Sequence, residues 1–338
     1  MIDLRSDTVS MPTQEMLEEM IKAEMGDDVY EDDKTANKLE DLAAKTMGKE
    51  AALFVPSGTM GNQIAIMCHT KRGDEILLDK NSHIVVHEVG AAALLSGVGY
   101  RVTNNPKSYI TKEDFLKNVR GDDIHEPSTG LVCIENALGN GTVVPLNIMK
   151  ELYDVAKEKN IQVHLDGARI FNAATYLKVD VKEISKYVDS IMFCLSKGLC
   201  SPVGSILCGS LEFIKRARKT RKLLGGGMRQ IGSLASCGII SIEKMTKRLH
   251  IDHENAKYLA SELEKIQGIT TDIENVHINM VFFDFDVDSS KFVKYMHKNE
   301  VKIHPPELLN TYRFVTHNDI SKENLDKVIK LIKNFKTI

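Results

Sequence analysis

SIMFCLS, residues 190–196, holds five apolar residues in unbroken succession, and a lysine, Lys197, follows at once. A strand with one wet face alternates apolar and polar residues. An unbroken run instead suits a strand covered on both faces, as in a parallel sheet between helices. Five other short apolar runs accompany it: AALFV (51–55), DEILLD (74–79), GLVCIE (130–135), IQVHLD (161–166) and GSILCG (204–209). Helical patterns lie between them. In PLNIMKELYDVAKEKN (145–160), Pro145 suits a helix start, and Ile148, Leu152 and Val155 share a helical row. Strand–helix–strand repetition implies right-handed crossovers, so the expected fold class is α/β, a mostly parallel sheet sandwiched by helices.

The texture changes near residue 225. LLGGGMRQIG (223–232) reads as a flexible break, and a long helical stretch follows over 233–266. NMVFFDFDV, KFVKYMHKNE, TYRFVTH and KENLDKVIKLIKNF then read as a smaller α+β unit. The expected division is a large domain over 1–245 with an N-terminal arm, and a small C-terminal domain over 246–338. A chain of 338 residues is long enough for two cores.

Composition narrows the function. Net charge is −3, which gives no electrostatic reason to expect nucleic acid or an anionic membrane as partner. The six cysteines form no C-x-x-C pair and sit mostly in apolar surroundings, as reduced thiols of a cytoplasmic protein would. MIDLRSDTVSMPTQ at the start carries charges from its third residue and has no signal-peptide core. No apolar run reaches membrane-spanning length. The HIDH pair (250–253) lies in a charged helical stretch and reads as a solvated face, so no metal is expected.

The dinucleotide and P-loop signatures are absent. FVPSGTMGNQIAIM (54–67) is more telling: an apolar strand ends, and small hydroxyl residues and glycine open an apolar helix. Exposed amides and the positive end of a helix dipole would meet there, a seat for phosphate, with Gly58 allowing close approach and Thr59 adding a hydroxyl. Its plain alternative is a Ser57 cap with no ligand. In VHLDGARIF (163–171), Asp166 ends a strand, at the edge where ligands of open α/β sheets gather; its plain alternative is a cap or a pair with Arg169. Lys197 ends the next run, 31 residues on, about one crossover unit away. A lysine for an aldehyde, an acid for a pyridinium nitrogen and a helix start for a phosphate together describe pyridoxal 5'-phosphate.

These stretches and others make the chain resemble the low-specificity L-threonine aldolases, within the fold-type I pyridoxal phosphate enzymes. The likeness runs through DLRSDTV (3–9), GDDVY (26–30), GKEAALFVPSGTMGN (48–62), HLDGARIFNAA (164–174), DSIMFCLSKGL (189–199), GSILCGS (204–210), LLGGGMRQ (223–230) and RFVTH (313–317). The resemblance implies that Lys197 holds the cofactor as an imine, Asp166 meets its ring nitrogen, and Gly58 and Thr59 bind its phosphate. It implies that Arg169 faces cofactor and substrate carboxylate, that Arg313 clamps that carboxylate, and that Ser6 lies beside it. His83 would stack on the ring, and His125 would sit near the substrate hydroxyl; either, or a water, would be the base. Tyr30 and Arg229 would reach into a neighbouring subunit of a homotetramer. His87 and His164 read as structural.

The implied activity is a retro-aldol cleavage of L-threonine or L-allo-threonine, and of related β-hydroxy-α-amino acids, to glycine and acetaldehyde or another aldehyde. It would serve threonine catabolism and glycine biosynthesis. The alternative is another lyase or racemase reaction, such as β-elimination, on the same scaffold, since cofactor residues do not fix the bond broken. Three departures stand out. Glu31 and Lys34 replace the glycine and proline usual after GDDVY, Ala137 and Leu138 replace a polar pair, and HIVVHEVGAAA (83–93) lacks the usual aromatics.

Overall fold

In the computed structural model, which describes residues 1–121, 123–306 and 309–335, the continuous apolar runs are strands of one sheet. After a two-residue strand β1 (Ile2–Asp3), the main sheet takes β2 (Ala51–Val55), β3 (Glu75–Asp79), β4 (Gly99–Thr103), β5 (Thr129–Glu135), β6 (Gln162–Asp166), β7 (Ser190–Cys194) and β8 (Ser205–Gly209). Their order is β2-β8-β7-β6-β5-β3-β4, and β8 alone runs antiparallel to its neighbours. Both faces are covered, which explains the lack of alternation. Along β2, Ala52 and Phe54 enter the main core, while Leu53 and Val55 enter a second cluster beneath the helices Gly58–His69 and Leu211–Leu223.

The helix Leu146–Glu158 has Pro145 at its N-cap and buries Met149, Leu152 and Val155. The stretch after the glycines is broken: helix Gly232–Glu243, a tight turn Met245–Arg248, then helix Leu249–Leu263. Beyond it, β9 (Ile269–Thr271), β10 (Met280–Phe285) and β12 (Thr311–Val315) form an antiparallel sheet in the order β12-β10-β9. β11 (Val301–Lys302) stands apart and pairs in parallel with β1, so Ile2 and Leu4 join the core of this second unit. Alternation along β10 divides its two faces: Met280 enters the main core, and Val281, Phe283 and Phe285 the second. Among the described residues, no helix is long and apolar enough to cross a membrane. All six cysteines are free and five are buried.

Candidate active site

The site forms where β5, β6 and β7 end. Parallel register sets Glu135, last in β5, beside Asp166, last in β6. β7 ends at Cys194, and the turn to antiparallel β8 begins there, closed by the Cys200 amide on the Lys197 carbonyl at 2.9 Å. Lys197 stands half-buried in that turn. Its ammonium acts on Asp7, Glu135 and His83, and Asp166 acts on the last two as well. Lysine and aspartate thus lie near the same pair of side chains, His83 and Glu135.

Asp166 is buried and held on both oxygens. Oδ1 accepts the Ala168 amide at 3.1 Å, and Oδ2 accepts the Asn62 side-chain amide at 2.8 Å. His83 opens a short helix, and its backbone amide donates to Glu135 Oε2 at 2.9 Å. Its Nδ1 lies 2.9 Å from Glu88 Oε1 and 4.0 Å from Asp166 Oδ2. The hydrogen bond to Glu88 raises the His83 pKa above the ordinary histidine value. Glu135 is pushed up to about 7, first by burial and then by the Asp166 charge.

The helix Gly58–His69 starts at the same edge, capped by Ser57 Oγ on the Met60 amide at 3.2 Å. The amides of Gly58 and Thr59, in its first turn, have no helical partner and remain donors. The glycine has a packing cause that the sequence did not reveal: a Cβ there would lie 3.0 Å from Cys194 Sγ and 3.1 Å from Met192 Cε. A lysine for an aldehyde, a buried acid for a ring N–H, and first-turn amides for an oxyanion form a donor set that fits an anionic aldehyde cofactor.

Arg169 is already engaged within the chain. Its Nε and Nη2 donate to the two oxygens of Asp7 at 2.8 and 2.6 Å, so two of its fork's donors are taken within the chain. Burial pushes Asp7 up, but Arg169, with Lys197 and Asn279, holds its carboxyl well below the usual range. Ser6, next in chain, caps the tight turn Asp7–Val9. Arg313 lies opposite Phe282 in the β10–β12 ladder, so both share the face of Met280 and Val315, towards the main core.

Three residues stand outside this cluster. His125 is exposed four residues before β5 begins, at the sheet edge opposite Asp166. Within one chain it stands apart from Asp166, because the connection feeding a parallel strand enters from the far edge. Tyr30 and Arg229 form a surface pair, guanidinium over ring at 5.7 Å, with Arg229 also bound to Asp27 at 2.9 Å. Hydrogen bonds and an ion pair among the described residues join them to Asp27 and the loop around it. Of the departures, Ala137 and Leu138 are buried in the main core, and Glu31 adopts a left-handed backbone (φ 61°) that favours the glycine it replaces.

Asn62, Glu88, Glu135 and Asp7 belong to the site and were not foreseen. One signal was available for Asn62: it lies one helical turn after Gly58 and Thr59, on the same side of that helix.

The family model for the beta-eliminating lyases matches residues 3–286. The low specificity L-threonine aldolase of Escherichia coli strain K12 is 41% identical over 330 residues, covering 97% of each chain. The low-specificity L-threonine aldolase 1 of Arabidopsis thaliana is 42% identical over 305 residues, covering 88% of this chain and 85% of that one. Among solved structures, a threonine aldolase of Leishmania major superposes with a TM-score of 0.84 at 19% identity, covering 99% of both chains, a likeness of fold.

Proposed function

The chain belongs to the beta-eliminating lyase family, among its low-specificity L-threonine aldolases, and from that premise we propose that it cleaves L-threonine and L-allo-threonine to glycine and acetaldehyde. What supports this reading is that Lys197 and Asp166 act on the same two side chains, His83 and Glu135, and that Asn62 of the helix Gly58–His69 binds Asp166. Related β-hydroxy-α-amino acids would yield glycine and their own aldehydes.

Pyridoxal 5'-phosphate is the cofactor that this donor set fits. Lys197 holds its aldehyde carbon, Asp166 its ring nitrogen, the amides of Gly58 and Thr59 its phosphate, and His83 flanks the ring. When bound, it supplies an electron sink for the pair released as Cα–Cβ opens. The chain's own residues do the rest. Arg313 and Ser6 hold the substrate carboxylate, and a guanidinium fork fixes its orientation better than a point charge would. Arg169, tied to Asp7, offers only its remaining N–H donors to the same end. In its neutral form, with Nδ1–H given to Glu88, His83 presents Nε2 to accept the β-hydroxyl proton, and the raised pKa makes that proton easier to take.

Tyr30 and Arg229, both exposed, serve a neighbouring copy in a homotetramer, and His125 belongs to the same inter-subunit reading. Free, mostly buried thiols support a cytoplasmic setting. The units divide near residue 246, where the tight turn Met245–Arg248 separates the two helices.

The deciding assay supplies the purified protein with pyridoxal phosphate and measures acetaldehyde from L-threonine beside pyruvate from L-serine and L-cysteine. Acetaldehyde in excess supports the aldolase. Pyruvate alone would make the chain a β-eliminating enzyme on the same scaffold.

A further inference from the structure

Behind Asp166 a row of buried polar side chains crosses the sheet. His164 and Asp166 alternate onto the same face of β6, the one beneath the helix Gly58–His69, and register sets Ser190 of β7 beside His164. Asn62, His164 and Ser190 are each fully buried. His69 Nε2 lies 2.8 Å from Ser190 Oγ, Ser190 Oγ 2.9 Å from His164 Nδ1, and His164 Nε2 3.1 Å from Asn62 Oδ1. The Asn62 amide nitrogen then lies 2.8 Å from both Asp166 Oδ2 and Glu88 Oε1.

The direction of every bond follows from the last link. Two carboxylate oxygens accept only, so the group between them must be the NH2 of Asn62. Its oxygen therefore faces His164, whose Nε2 must carry hydrogen. Burial pushes His164 down to about 3, so the ring is neutral and Nδ1 is an acceptor. Ser190 must spend its one hydrogen on Nδ1, so His69 must donate to Ser190 through Nε2. Burial pushes His69 down to about 4, which leaves it neutral as well. All donors point one way, towards the acids. Successive bonds aligned like this polarise one another. An amide cannot pass on a proton as an imidazole does, so the row orients rather than conducts.

We propose that His69, Ser190, His164 and Asn62 form a one-way hydrogen-bond chain that fixes Asp166 in the orientation from which it meets the ring nitrogen of the bound cofactor. The four are positioning residues. The inference rests on the pyridoxal phosphate reading above, and it gives His164, which the sequence marks only as structural, a part in the chemistry.

The test uses the full-length protein labelled with 15N-histidine, with and without pyridoxal phosphate carrying a 15N pyridine. The His164 signal, assigned by its loss in His164→Gln, should report the neutral Nε2–H form between about pH 6 and pH 8. Ser190→Ala, which deletes the middle link, should move the pyridine signal towards the unprotonated value. It should also lower kcat about tenfold, the worth of one good hydrogen bond, with KM for L-threonine held within about twofold. An Nδ1–H or cationic His164 overturns the chain even if Ser190→Ala fails to fold. An unchanged pyridine signal and kcat in Ser190→Ala overturn the proposal alone. A protein that takes up no pyridoxal phosphate overturns the cofactor reading and, with it, this use of the chain.

Discussion

Where the helix Gly58–His69 meets the main sheet, Asn62, Gln63, Glu88, His164 and Asp166 are buried; around the smaller sheet the same burial goes to Phe283, Phe285, Phe292, Tyr312 and Phe314. In the first region the polar atoms other than Gln63 Oε1 have named partners, because an unpaired buried donor or acceptor costs about 1–3 kcal/mol. Its geometry is therefore fixed atom by atom. In the second, rings meet edge to face: Phe292 lies 5.3 Å from Phe285 and 5.2 Å from Tyr312, with planes near 84° and 87°. Such packing needs volume and shape but tolerates small shifts. The polar floor holds reacting groups in place at some expense of stability, and the aromatic core supplies stability without chemistry.

Substitutions in the two regions should therefore separate activity from stability. The largest effect is expected at Lys197. Lys197→Ala should lose the visible absorbance of the protein with pyridoxal phosphate and bring aldehyde release to background while the chain stays folded; a retained, borohydride-reducible absorbance would move the anchor elsewhere. Phe292→Ala should do the reverse. It removes a ring from the second core and should lower unfolding stability by about 3–5 kcal/mol, read as a shift in urea midpoint, with turnover per folded molecule preserved. A large loss of turnover there would merge the two regions.

Asp166→Ala should cost about 3 kcal/mol of barrier lowering, at least a hundredfold in kcat, on the scale of one well-placed electrostatic partner. Near wild-type steady-state kinetics would remove Asp166 from the chemistry. The smallest effect concerns Glu135, raised to about 7 from an ordinary 4.5. The folded chain holds that proton more tightly than the unfolded chain does. Stability should therefore fall as pH rises from the ordinary glutamate range through about 7 and stay lower above it. Glu135→Gln, compared with the wild type by urea unfolding without cofactor, should gain about 2 kcal/mol between pH 5 and pH 8. An equal gap at both values would mean that burial there carries no such cost.

The sheet was legible because covered strands have to be apolar on both faces, and SIMFCLS and GLVCIE are. β4 (GYRVT) was missed because it is an edge strand with half-exposed and exposed residues, and carries too little apolar signal. Asp166 and Lys197 were legible because each ends such a run. Their supports were not. Asn62 meets Asp166 across 104 residues and Arg169 meets Asp7 across 162, and one sequence holds no mark of such pairings. Glu88 and Glu135 carried no signal in the sequence, because only the fold buries the first and half-buries the second. The arginine clamp was read as open for a different reason: the acid that occupies Arg169 lies in the DLRSDTV stretch itself, where a carboxylate at a chain start ordinarily reads as solvated.

The first residues have no place of their own. Ile2 and Asp3 pair with Val301 and Lys302, and Asp7 needs both Arg169 and Asn279. On a ribosome this segment is made before all of these partners, so it can dock only after residues 279–302 have emerged. Because Asp7 holds Arg169, the surroundings of that arginine are completed only once this early segment has met partners made far later.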